Sequence, residues 1–232
     1  VWGTLVLVDT SSSVLVDLGI DNVMAPVRSL ATQITDLDTR SRAVSVGTFD
    51  GAPDLRPLVT TYDTDLDGDG FYFTSLTGKL ETDLDVFLEP ECSAPADCAD
   101  SPGRPNCESG ICIDTSMDLY GAVIDGIDAV EAALEAEERV GIPRGGSLVI
   151  FTDSGDEAER HTSGQVASAL DGTDIFTFVV GLGVDADLSV ARDGTFGIDS
   201  TTEMAAMLSE IMAVKEAVVE GIYLISYCTS AR

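Results

Sequence analysis

Oxygen-bearing side chains gather at a few points of this sequence in spacings that could hold a metal ion. Asp9-Thr10-Ser11-Ser12-Ser13 follows directly on the apolar run Thr4 to Val8, so Asp9, Ser11 and Ser13 converge three oxygens on one tight turn. Thr152 and Asp153 close a second apolar run, SLVIFTD, and Ser116 to Asp118 stand just before a long stretch of helical spacing. Carboxylates and hydroxyls without His or Cys suit a hard divalent cation, and few carboxylates with room for water favour Mg²⁺ or Mn²⁺ over Ca²⁺. Strand-to-helix turns also use such hydroxyls to satisfy their own backbone. Independent turns, however, have no reason to collect oxygens at one edge of a sheet.

A second acidic group, DTDLDGDG at Asp63 to Gly70, is similar to the first half of a calcium loop. Asp63, Asp65, Asp67 and Asp69 are its candidate ligands, and Gly68 is placed for the sharp turn. Thr74 occupies the twelfth position, where a bidentate Glu would anchor the ion. Two readings stay open for residues 62–71: a weak Ca²⁺ site, or a solvated acidic hairpin between edge strands.

The elements that must carry these groups follow from hydrophobic period. TLVLVD, RAVSVGTF, SLVIFTD, DIFTFVVG and GIYLISY are continuous apolar runs, the pattern of strands buried on both faces. Met24, Val27, Ala31, Ile34 and Leu37 mark one helix, Leu119, Val123, Ile127, Val130 and Leu134 a longer one, and Met204, Leu208 and Ile211 a third that opens on a capping box, Ser200 with Glu203. Alternating strands and helices predict an α/β fold, doubly wound, with a mainly parallel central sheet covered by helices on both faces. Sites in such sheets form at the carboxyl ends of the strands. All 232 residues are read as a single domain, interrupted by the acidic loop and by a cysteine-rich insertion at residues 89–114.

That insertion holds Cys92, Cys98, Cys107 and Cys112 among Pro, Gly, Ser and Asp. No CxxC pair is present, and the single histidine, His161, is distant, which argues against zinc and for two disulfides confined to the loop. Four cysteines allow three pairings, and Cys228 is left over as a free thiol or a partner for another segment. Disulfides place the chain outside the cytoplasm: extracellular, at the cell surface or periplasmic. The N-terminus lacks a signal-peptide order and opens almost at once into a strand, which is read as a domain from a larger secreted or anchored protein.

Charge removes whole classes of partner. With 41 Asp and Glu against 12 Lys and Arg, the net charge of −29 repels nucleic acid and anionic membrane surfaces. No apolar run is long enough for membrane insertion, and the domain is expected to be monomeric. Phosphate loops and dinucleotide fingerprints are missing, and GLG at Gly181 to Gly183 lacks the third glycine.

Taken together, an apolar strand, DxSxS, an amphipathic helix, a strand ending FDG, LYGA opening a helix and then FTD form an order that resembles the von Willebrand factor A domain. The resemblance runs from Leu5 to about Tyr227 and implies a metal-ion-dependent adhesion site. Asp9, Ser11, Ser13 and Asp153 match its positions: the serine hydroxyls would bind the ion directly, the aspartates through water, and an acidic side chain of a partner protein would complete the coordination. The second loop departs from the pattern, because Met117 stands where such domains place threonine and a thioether is a poor ligand for a hard ion. Three alternatives follow: Ser116 supplies the hydroxyl after a one-residue shift, Asp118 reaches in, or the site is weakened. The first is preferred, since a Ser-Met-Asp start is also similar to the integrin type of this loop.

The leading expectation is therefore a binding module, not an enzyme, that captures a partner's Asp or Glu through Mg²⁺ or Mn²⁺. A structural module with a decayed site is the alternative. A haloacid-dehalogenase-like phosphotransferase also begins with a strand ending in Asp, but its second acid would fall on Ser11, and neither Lys79 nor Lys215 lies at a strand end.

Overall fold

The computed structural model describes residues 2–36, 42–59, 73–74, 77–136, 145–182 and 186–197, together with Ser209 and Ala213. The acidic loop's four aspartates, the helix markers Met204, Leu208 and Ile211 with the capping box Ser200 and Glu203, the GIYLISY strand and Cys228 lie outside the described residues.

Strands β1 (Trp2–Asp9), β2 (Arg42–Phe49) and β3 (Arg56–Pro57), then β6 (Gly145–Thr152), β7 (Phe176–Gly181) and β8 (Gly194–Gly197), form one sheet in the order β3-β2-β1-β6-β7-β8. Among the described strands of this sheet every pairing is parallel except that of the short edge strand β3, and Val44 of β2 also forms an isolated antiparallel bridge with Thr74. Alternation divides each central strand between two cores. Val6 and Val8 of β1 face α1 (Ile20–Asp36) and α2 (Thr77–Phe87), whereas Leu5 and Leu7 face α3 (Leu119–Ala136) and α4 (Ser163–Gly172). With both faces covered, the central strands read as unbroken apolar runs, since polar positions would have no water to face.

Two cues fix the helix starts. Asp118 Oδ1 accepts the Gly121 amide at 2.9 Å and so caps α3, and Thr162 with Gln165 forms a capping box for α4. His161 sits just before that cap. Between Ser13 and α1 the chain makes a π-helical turn, Val14–Leu18, closed by Gly19 N to Val14 O at 3.0 Å.

The insertion is an ordered unit. Its hairpin pairs β4 (Asn106–Glu108) with β5 (Ile111–Ile113) across a two-residue turn, Ser109 and Gly110, both at positive φ as a primed turn requires. Disulfides join Cys92 to Cys107 and Cys98 to Cys112, in line with two bridges confined to the loop. The loop is not coreless, however: Ile111 and Ile113 are buried in the same cluster as α1 and α2.

Candidate metal centre

The strand order reverses between β1 and β6, the point at which doubly wound sheets place their sites, outside the carboxyl ends of the strands. The Asp9 turn leaves β1 at this point, and Thr152 and Asp153 leave β6 beside it. Asp9 is fully buried, its Oδ1 accepting the Ser11 amide at 2.8 Å and its Oδ2 the Thr152 hydroxyl at 3.0 Å. The Ser11 and Ser13 hydroxyls are 3.2 Å apart, and Ser13 Oγ donates to Asp153 Oδ1 at 3.1 Å. The Ser11, Ser13 and Asp153 oxygens thus form one hydrogen-bonded series, joined to Asp9 through the Ser11 amide, and bring together residues 144 apart in sequence (153 minus 9).

Burial pushes the Asp9 carboxyl up to about 7, against the pull of its hydrogen bonds from Ser11 and Thr152, and the charge of Asp153 adds to the rise. The charge of Asp153 near the buried Asp9 carboxyl is an electrostatic cost that a divalent cation would offset. The donor set therefore fits a hard ion: oxygen throughout, with one carboxylate buried and its partner, Asp153, part exposed.

The second loop is suspended from the end of β2. Asp50, itself buried, accepts from the Ala52 and Asp114 amides at 2.8 and 3.1 Å and from Arg104 Nε at 3.0 Å, while its carbonyl accepts the Asp118 amide. Burial raises the Asp50 pKa in spite of the Arg104 charge. A side chain on Gly51 would collide with Ser116 Oγ and crowd Asp114, so the FDG glycine is a packing requirement of this loop.

Of the sequence-predicted ligands, the structure brings Asp9, Ser11, Ser13 and Asp153 together and engages the other two elsewhere. Ser116 Oγ donates to Asp114 Oδ1 at 2.9 Å. Asp118 caps α3 with one oxygen and meets Arg160 Nη1 with the other at 3.3 Å. Met117 is buried in the α3-side core, with Sδ 3.2 Å from the Thr152 hydroxyl that also reaches Asp9. Thr152 is the central residue absent from the sequence-derived ligand set, though its place at a strand end beside Asp153 was a signal. Arg104 and Glu108, contributed by the insertion, had no such signal.

No protein-family model matches the sequence, and no curated protein gives a match. Solved structures do. A von Willebrand factor type A protein from Catenulispora acidiphila superposes with a TM-score of 0.55 at 14% identity, over 91% of this chain and 42% of that one. The chain has the von Willebrand factor A fold. The A-domain likeness extends to BatB from Bacteroides thetaiotaomicron (TM-score 0.57, 14% identity, 93% of this chain and 100% of that one) and to the ArnB paralog VWA2 from Sulfolobus acidocaldarius (0.50, 12%, 89% and 43%). The chain thus spans less than half the length of the Catenulispora and Sulfolobus proteins.

Proposed function

We propose that this A-domain fold is a cation-dependent docking module rather than an enzyme, one that takes Mg²⁺ or Mn²⁺ on Asp9, Ser11, Ser13 and Asp153 and captures an Asp or Glu of a partner protein. The observation that carries the reading is the cluster at the strand-order reversal, where Asp9 accepts the Ser11 amide and the Ser11, Ser13 and Asp153 side chains are hydrogen-bonded in series. A bound ion would supply a local positive charge on a molecule of net charge −29, which is what an acidic ligand needs to approach it. Two disulfides support work outside the cytoplasm, at a cell surface or in a periplasm. Among the described residues, no helix is long and apolar enough to cross a membrane.

A second reading, a structural module with an inert site, is favoured by Met117: the second loop offers a buried thioether beside Thr152, and the Ser116 hydroxyl is held by Asp114. Calorimetric titration of Mg²⁺, Mn²⁺ and Ca²⁺ into EDTA-treated protein separates the two. The docking module requires one Mg²⁺ or Mn²⁺ per chain, lost in Asp9→Ala; an inert site gives no heat that depends on Asp9. Asp65→Ala reports any separate Ca²⁺ site in the acidic loop.

A further inference from the structure

Glu108 belongs to none of the ligand positions above, yet it touches the turn that carries them. Its Oε2 accepts from Ser12 Oγ at 2.6 Å, across 96 residues of sequence. Ser12 is the residue between Ser11 and Ser13, and its hydroxyl is engaged by Glu108 while theirs bond each other. The next hairpin residue, Ser109, donates its hydroxyl to the Leu15 carbonyl at 3.3 Å, and Leu15 N in turn bonds the Ser11 carbonyl at 3.1 Å. The hairpin tip therefore holds the turn from outside at two points.

The hairpin is itself held firmly. Cys107 and Cys112 face each other across it, each in a different disulfide, and Ile111 and Ile113 are anchored in the core. Arg104 ties the approach to the hairpin to the Asp50 carboxylate and, at 2.6 Å, to the Asp54 carbonyl. Two covalent bridges lie within the 21 residues from Cys92 to Cys112. They fix the position of a carboxylate, Glu108, against a serine of the cation turn.

We infer that Glu108 is a positioning residue of the cation centre: the disulfide-stapled hairpin uses it to hold Ser12, and through Ser12 to aim the Ser11 and Ser13 hydroxyls at the ion. The inference rests on the cation reading of the site. Groups that orient metal ligands from behind typically account for about 10- to 100-fold in affinity. The Glu108 charge adds a smaller attraction, screened because the residue is half-exposed.

The test is titration of Mn²⁺ into the EDTA-treated full chain, followed by the electron paramagnetic resonance of free Mn²⁺, with the melting temperature of each cation-free variant alongside. Glu108→Ala and Ser12→Ala should each weaken Mn²⁺ about tenfold, without lowering the cation-free melting temperature. The double variant should lose no more than either single one, because both break the same link. Glu108→Gln, which keeps an acceptor and drops the charge, should lie between wild type and Glu108→Ala. Wild-type affinity in Glu108→Ala and Ser12→Ala, with binding still abolished by Asp9→Ala, would overturn the inference and leave the cation reading standing. A loss of Mn²⁺ matched by a loss of cation-free stability would overturn it in favour of a purely structural clamp. If the wild type itself takes up no Mn²⁺, the cation reading falls and the Glu108 role with it.

Discussion

At the scale of single residues, the buried Asp9 carboxyl makes the site sensitive to pH in a definite direction. In the native protein it holds its proton up to about 7, whereas an unfolded aspartate releases it near 3.8. Between those values the native state binds more protons, so the contribution of Asp9 to cation-free stability is fully present below about 3.8 and is lost as pH rises through about 7. A shift of this size corresponds to at most about 4 kcal/mol. Burial gives Asp50 and Asp125 the same sign, so the contribution of Asp9 is read by difference. In urea unfolding with EDTA at pH 5 and pH 8, wild type should lose more stability between the two than Asp9→Asn; parallel losses would contradict the account. Met117 provides a second residue-scale test. Its side chain is buried in the α3-side core, so Met117→Thr should cost about 2 kcal/mol of stability through lost packing. Chemical denaturation reads that cost, and a stability unchanged from wild type would show that the Met117 side chain contributes no packing.

At the scale of elements, what the sequence made legible followed from period and length. β1, β2, β6, β7, α1 and α3 are long enough for their apolar spacing to stand out, and all lie where that spacing predicts. β3 and β8 are two and four residues long at the sheet edges, too short to show a period. α2 and α4 bury only three and two side chains, so their apolar stripes are thin. The two disulfides were legible from crowding, but their pairing was not, because it depends on how the hairpin folds back. Nor was the docking of the insertion, since Arg104 and Asp50 are 54 residues apart and Arg104 stands in no motif. That contact carries a prediction of its own. Asp50 is buried, and removing its cation leaves an uncompensated carboxylate. Arg104→Ala should therefore destabilise the insertion by about 3 kcal/mol, with faster amide exchange across residues 89–114 and little change in α3. Uniform exchange over the whole chain would indicate that the insertion and core unfold together.

For the molecule as a whole, charge dominates. An excess of 29 negative charges repels itself in the compact state, and salt screens that repulsion within about 10 Å at 0.1 M. The melting temperature of the cation-free protein should therefore rise with NaCl concentration, and a flat or falling trend would show that surface repulsion does not limit stability. The same charge makes weak, diffuse association of cations with the surface inevitable, so binding heats alone do not locate a site. The most direct measurement is the anomalous diffraction of Mn²⁺ in crystals of the protein. One strong peak is expected within coordination distance of the Ser11 and Ser13 hydroxyls, with Asp9 and Asp153 around it directly or through water, and its loss in Asp9→Ala. A peak at some other acidic cluster, with none at the carboxyl ends of β1 and β6, would contradict it.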